Sequence, residues 1–158
     1  MGTNIRHVLK MENKIFKTIF NDIAKKHNFL YEFGGWFILN NETILVLDLQ
    51  KSNYSNLFYL NIKIYIQGLF GKTYIKSKNL VKNDIGDIFN REPSVFNNFF
   101  DLENSLTEEE RQLGIDRLFT EFLNPFSINA ATVNGIVKLA KENQIHLLPV
   151  VKQAIDEL

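Results

Sequence analysis

The residues with the best claim to chemistry lie in two neighbouring stretches, Asp48-Leu49-Gln50-Lys51-Ser52-Asn53-Tyr54-Ser55 and the alternating run Tyr59-x-Asn61-x-Lys63-x-Tyr65. In the first, an apolar strand pattern gives way to polar groups and a tyrosine. In the second, tyrosine, amide and ammonium side chains recur at every other residue and so share one face of a strand. Paired as a hairpin, the two strands make these groups cross-strand neighbours. Aromatic rings supply contact area and their hydroxyls fix orientation. Gln50, Ser52, Tyr54, Tyr59, Asn61, Lys63 and Tyr65 are therefore the candidate binding residues. A sheet face half covered by C-terminal helices gives the same alternation without any function, and that plainer account of the pattern is preferred.

Other spacings carry less. His7, His27 and His146 lie far apart, and none stands in a His-x3-His or His-Glu-x2-His arrangement that would aim two imidazoles at one metal. Gly68-x-x-Gly71-Lys72-Thr73 lacks the earlier glycine of a phosphate loop, since Ile66 stands there. It also reads on into an extended Tyr74-Ile75 instead of the helix such a loop needs. Asp84 with Asp87, and Asp101 with Glu103, could seat a cation or divide acid–base roles, yet solvated loop charge explains them more simply. Thr107-Glu108-Glu109-Glu110 is a capping box. No Gly-x-Ser-x-Gly elbow occurs. No catalytic residue, metal or cofactor is expected.

Composition narrows the classes further. The 158 residues suit one domain over 1–158, with 1–13 as a frayed lead-in, flexible or left over from expression. Eighteen basic residues balance eighteen acidic ones, without the excess of cations that phosphate neutralisation requires, so nucleic acid is an unfavoured partner. The absence of cysteine removes disulfides, thiolate metal sites and thiol nucleophiles. Charges interrupt the first twenty residues too often for a signal peptide, and no apolar run approaches membrane-spanning length. The cytoplasm is the expected location, with no membrane.

These side chains need elements to position them. Ile15, Phe16, Ile19, Phe20, Ile23 and Ala24 recur at helical steps, predicting an amphipathic helix over 14–27. Phe29–Phe33 and Trp36–Leu39 flank Gly34-Gly35, a hairpin signal. Thr43–Gln50 follows. Leu57–Gln67 alternates apolar and polar over its whole length, predicting a strand with one buried and one wetter face. Residues 68–83 read as turn and irregular chain, with a short strand near 73–75, and 84–90 and 95–102 as edge strands. Helices are then expected from Thr107 to a stop at Asn124-Pro125, over 130–142, and over 147–158 with Pro149 in the first turn. The fold class is α+β: an N-terminal helix, an antiparallel meander of four to six strands, and C-terminal helices packed on the sheet.

Asn28-Phe29, Trp36-Phe37, Val46-Leu47-Asp48-Leu49-Gln50-Lys51-Ser52 and Tyr59-Leu60-Asn61-Ile62, taken in order, resemble a bacterial domain of unknown function family catalogued with the number 4304. The likeness is carried mainly by residues 14–67. It implies an α+β fold, no established activity, and motif positions at Gln50, Ser52 and Asn61 without an assigned role. Asn28 stands where that family usually has Gly, and Asp48 where it has Asn. The expected function is a non-catalytic protein-interaction module, an immunity or regulatory factor with an unknown protein partner. The alternative is a small-ligand-binding protein or enzyme using Gln50, Ser52, Asn61 and Lys63, with Asp48 as a carboxylate.

Overall fold

The computed structural model describes the backbone of residues 2–158 and the side chains of residues 13–158. The expected flexible lead-in at 1–13, apart from Asn13, lies outside the described side chains, and His7 with it. Helix α1 (Gly2–Lys26) is followed by strands β1 (Leu30–Glu32), β2 (Gly35–Leu39), β3 (Thr43–Lys51) and β4 (Phe58–Ile66), short helix α2 (Lys78–Lys82) and strand β5 (Ile88–Arg91). Helices α3 (Glu108–Arg117), α4 (Asn124–Ala130), α5 (Val133–Lys141) and α6 (Pro149–Asp156) complete the chain. The five strands form one antiparallel sheet in sequence order, a strict meander. The architecture is α+β, as the periodicities predict. Among the described residues no helix is long and apolar enough to cross a membrane.

The two faces of the sheet have different covers. Trp36, Leu45, Leu47, Leu60, Ile62 and Ile64 point into the main core, which α1 and the C-terminal helices close. Aromatic contacts dominate there: Phe16 stacks on Phe58 at 5.2 Å, and Phe20 meets the edge of Trp36 at 4.7 Å and Phe119 at 5.5 Å. Such ring pairs add directional packing to area burial. The opposite face carries Phe37, Ile44, Val46 and Tyr65 beneath Leu80 and Val81 of α2. The wetter face expected for β4 is therefore covered over much of its length, with Asn61, Lys63 and Tyr65 all buried. α2 escapes a periodicity reading because only Leu80 and Val81 of its five residues are apolar.

Several boundaries move for identifiable reasons. The first hairpin turns on Phe33 and Gly34, both at positive φ, a turn set one residue earlier than Gly34-Gly35. Gly35 is instead a strand residue, because a Cβ there would sit 2.9 Å from the Leu47 carbonyl oxygen and from the Val81 methyls. No strand forms at 73–75, and the expected strand over 95–102 is a 3-10 helix, Ser94–Phe100. Arg111 holds that segment down, donating to the Phe99 and Asp101 carbonyls and to Asn104 Oδ1. The helix starting at the Thr107 capping box does not end at Pro125. A π-helical turn, Leu118–Leu123, carries it forward, with the Asn124 amide reaching back to the Phe119 carbonyl. The widened turn relieves the clash a proline ring otherwise makes with the preceding turn. The chain breaks instead after Ala130, where Thr132 caps α5 by accepting the Gly135 amide at 3.0 Å.

Candidate functional site

β3 and β4 pair in register from Thr43↔Ile66 to Lys51↔Phe58, which sets Asp48 opposite Asn61 and Gln50 opposite Tyr59. β5 then places Arg91 opposite Asn61 on the other side. Asn61 is the hub. Its Nδ2 donates to Asp48 Oδ1 at 3.2 Å and to Gln50 Oε1 at 3.0 Å, and its Oδ1 accepts from Arg91 Nε at 3.2 Å. The Arg91 guanidinium lies 4.4 Å over the Tyr59 ring and 5.7 Å from that of Phe89, with Nη2 3.4 Å from Gln50 Oε1. A cation over an aromatic face is held by the ring quadrupole, and more firmly when it is also hydrogen-bonded.

Lys63 closes the inner end of the row. Its Nζ donates to the Val81 carbonyl at 2.8 Å and the Leu80 carbonyl at 3.4 Å, the last carbonyls of α2. It also stands 3.0 Å from Asp48 Oδ2, an ion pair approached off the hydrogen-bond axis, so Oδ2 keeps no hydrogen-bond partner. Tyr65, one pair farther, is fully buried and donates to the Leu80 carbonyl at 2.8 Å. Burial, with Asp84 nearby, pushes its hydroxyl far above the ordinary tyrosine range, so it stays a donor.

Of the seven candidate residues, Gln50, Tyr59 and Asn61 thus share one network, and Lys63 joins it through Asp48. Tyr65 sits under α2. Ser52 and Tyr54 lie in the β3–β4 loop, where Ser52 Oγ accepts the Tyr54 and Ser55 amides and Tyr54 projects fully into solvent. Arg91 and Phe89 were missed. Arg91 falls one residue beyond the edge strand read at 84–90, and only its pairing with β4 brings it to Asn61.

Two carboxylates frame this face at the ends of β5. Glu92 Oε1 accepts the Leu60 amide at 2.7 Å and Asp87 Oδ2 accepts the Ile66 amide at 2.8 Å, each extending the β4–β5 ladder by a side chain. Burial pushes both carboxyls up, against those amide bonds, which pull them down. A raised folded pKa means the native state holds the proton more tightly than the unfolded chain, so this contribution is present at low pH and is lost as pH rises through the raised value. Glu92→Gln removes the Glu92 share. The urea midpoint of wild type minus that of the variant should fall steadily from about pH 4 towards pH 7. A flat or rising difference would contradict the burial argument.

The remaining sequence candidates have structural partners. Asp84 Oδ1 accepts the Ile85 and Gly86 amides, Asp101 that of Glu103, and Glu103 that of Asn56. The glycine–lysine stretch makes a 3-10 turn at Leu69–Gly71 and runs on extended, with no helix starting until Lys78. His27 stacks on Phe119 at 5.2 Å with Nε2 2.9 Å from Asp116 and Nδ1 3.0 Å from Asn124, tying α1 to the helices after it. That hydrogen bond, joined by Lys26, holds the Asp116 carboxyl below its usual range. His146 is exposed. Among the described residues no three His, Asp or Glu side chains gather as a metal site.

Comparison with known proteins gives a match to a family model. The model of a family described as a domain of unknown function, DUF4304, covers residues 21–127, from the second half of α1 through all five strands to α4. The whole Asp48–Arg91 network lies inside that span. No curated protein and no solved structure matches the chain.

Proposed function

The chain belongs to the DUF4304 family of domains of unknown function, and for this member we propose the role of a non-catalytic protein-interaction module that docks a partner on the open half of its sheet. The observation that carries the reading is Arg91: exposed, laid over Tyr59, and tethered through Nε to Asn61. Arginine and tyrosine are the side chains most enriched among residues that dominate binding energy, and an already ordered guanidinium loses little freedom on docking. Gln50 and Phe89 flank it with an exposed amide and an exposed ring. Among the described residues Nη1 has no protein partner, so a carboxylate on the partner completes the site. The setting we attach is a bacterial cytoplasm, with an immunity or regulatory role.

The alternative of a small-ligand site or enzyme built on Gln50, Ser52, Asn61 and Lys63 has less support. Lys63 is committed to two helix carbonyls and Asp48, and Ser52 Oγ serves loop amides.

A photo-crosslinking phenylalanine at Phe89, compared with one at Lys141 on α5, tests the docking face in cells of the native host. Capture of a discrete protein at position 89 is expected, weakened about 30-fold or more by Arg91→Glu, the loss typical of an anchoring arginine. Equal capture from both positions, or capture indifferent to Arg91→Glu, would remove the sheet face as the recognition surface.

A further inference from the structure

Helices α1 and α3 lie side by side and leave an open groove of about 720 Å³ between them, away from the sheet face discussed above. Both helices run in the same direction. Ile15 and Phe16 line a smaller cavity with Glu108 and Arg111 at one end, while Lys26 stands 3.4 Å from Asp116 at the other. Ile15, Ile19 and Ile23, four residues apart, form an apolar strip along the α1 side, and Leu113 crowns the α3 side. Ile15 is 39% exposed and Leu113 62% exposed, while Ile23 is half-buried against the core and Ile19 is buried, so the apolar surface facing water centres on Ile15 and Leu113.

The charges on the two walls differ in sign. The α1 wall carries Lys14 at its start and Lys26 at its end, with Asp22 as an inner exception; the α3 wall carries Glu108 and Glu109 at its start and Asp116 at its end. A basic wall beside a parallel acidic wall fits itself under one symmetry. A two-fold axis running along the groove lays α1 of each copy over α3 of the other, at the same height. Lys14 then faces Glu108 and Glu109 of the second copy, the Lys26–Asp116 pairs of the two copies meet with unlike charges opposed, and Ile15 closes over Leu113. An axis across the groove would oppose α1 to α1 and bring lysine against lysine. We infer that two copies of this chain pair through the α1–α3 groove about an axis parallel to it, forming a four-helix contact.

Among the described residues twelve line the groove, against about 20–30 a side in a standard stable interface. The dimer is accordingly weak and reversible. Because unlike charges fix the orientation, salt loosens it. The partner-docking face around Arg91 lies across the sheet from these helices, so the pairing leaves it open.

Sedimentation equilibrium of the full chain from about 5 to about 500 µM reads the association directly. A monomer–dimer equilibrium is expected, weakened at least ten-fold by Leu113→Asp, whose exposed site leaves the fold intact by circular dichroism. Lys14→Glu should weaken self-association alone, and mixing it with Glu108→Lys/Glu109→Lys should restore a mixed dimer. A single monomeric species at every concentration overturns the inference. So does a dimer indifferent to Leu113→Asp, or charge variants that fail to recover in the mixture. A chain that stays monomeric yet binds a basic amphipathic helical peptide in the groove would assign the groove to another partner and overturn it equally.

Discussion

Gly135→Ala should cost about 3 kcal/mol or more, the upper end of overpacking losses, and lower the melting temperature by about 6–12 °C. The sign runs against general expectation. Gly135 sits in the first turn of α5 without a positive φ, and a glycine inside a helix ordinarily gains about 1 kcal/mol on replacement by alanine. Here a Cβ would overlap the Asn129 carbonyl oxygen, with the Asn129 carbonyl carbon only 2.6 Å away. The obstacle is backbone, at the end of a helix whose Ala130 carbonyl is already engaged by Thr43 Oγ1, so it cannot swing aside as a side chain would. Thermal melts of the two proteins decide the matter. A variant as stable as wild type, or more so, would show that the α4–α5 corner can open at little cost.

Lys63→Met should destabilise by about 3 kcal/mol, because removing one member of a buried ion pair strands the other. The lysine is 4% exposed, and its loss leaves Asp48 without its counter-ion and the Val81 carbonyl without its side-chain donor, while the Leu80 carbonyl keeps the Tyr65 hydroxyl. Methionine keeps most of the side-chain volume, so the loss reports charge and hydrogen bonding and not an emptied space. Adding Asp48→Asn removes the stranded charge while keeping an oxygen for the Asn61 amide. The double variant should therefore lose much less than the sum of the single losses, a coupling measurable by urea denaturation. Single-variant losses under about 1 kcal/mol would mean that water reaches the pair and shares its charge.

Legibility from sequence followed the reach of each signal. The alternation of Phe58, Leu60, Ile62, Ile64 and Ile66 located β4, and the Thr107 capping box located the start of α3, because both rest on contacts within one element. Gln50, Tyr59 and Asn61 were legible as cross-strand neighbours because hairpin pairing is also short in range. What failed depended on distant partners. Lys63 and Tyr65 read as wet positions, since nothing in their own strand announces that Leu80 and Val81 will lie over them. Arg91 read as the residue after a strand, and its role appears only with the β4–β5 register. Pro125 read as a helix stop, a sound local rule that the π turn before it sets aside. Val95–Leu102 read as an edge strand, although Arg111, beyond it in sequence, holds most of it as a 3-10 helix.

The strict meander has a consequence for how the chain assembles. Each strand pairs with its neighbour in sequence, and the first three closures span short loops, so little chain entropy is lost before β1 to β4 meet; only β5 returns over a longer connection, residues 67–87, which carries α2. Synthesis from the N-terminus delivers α1 and all five strands before any of α3 to α6 exists. The nascent sheet can therefore zip hairpin by hairpin, with the phenylalanines of α1 already shielding part of its greasy side, and the late helices arrive at a surface that is waiting for them.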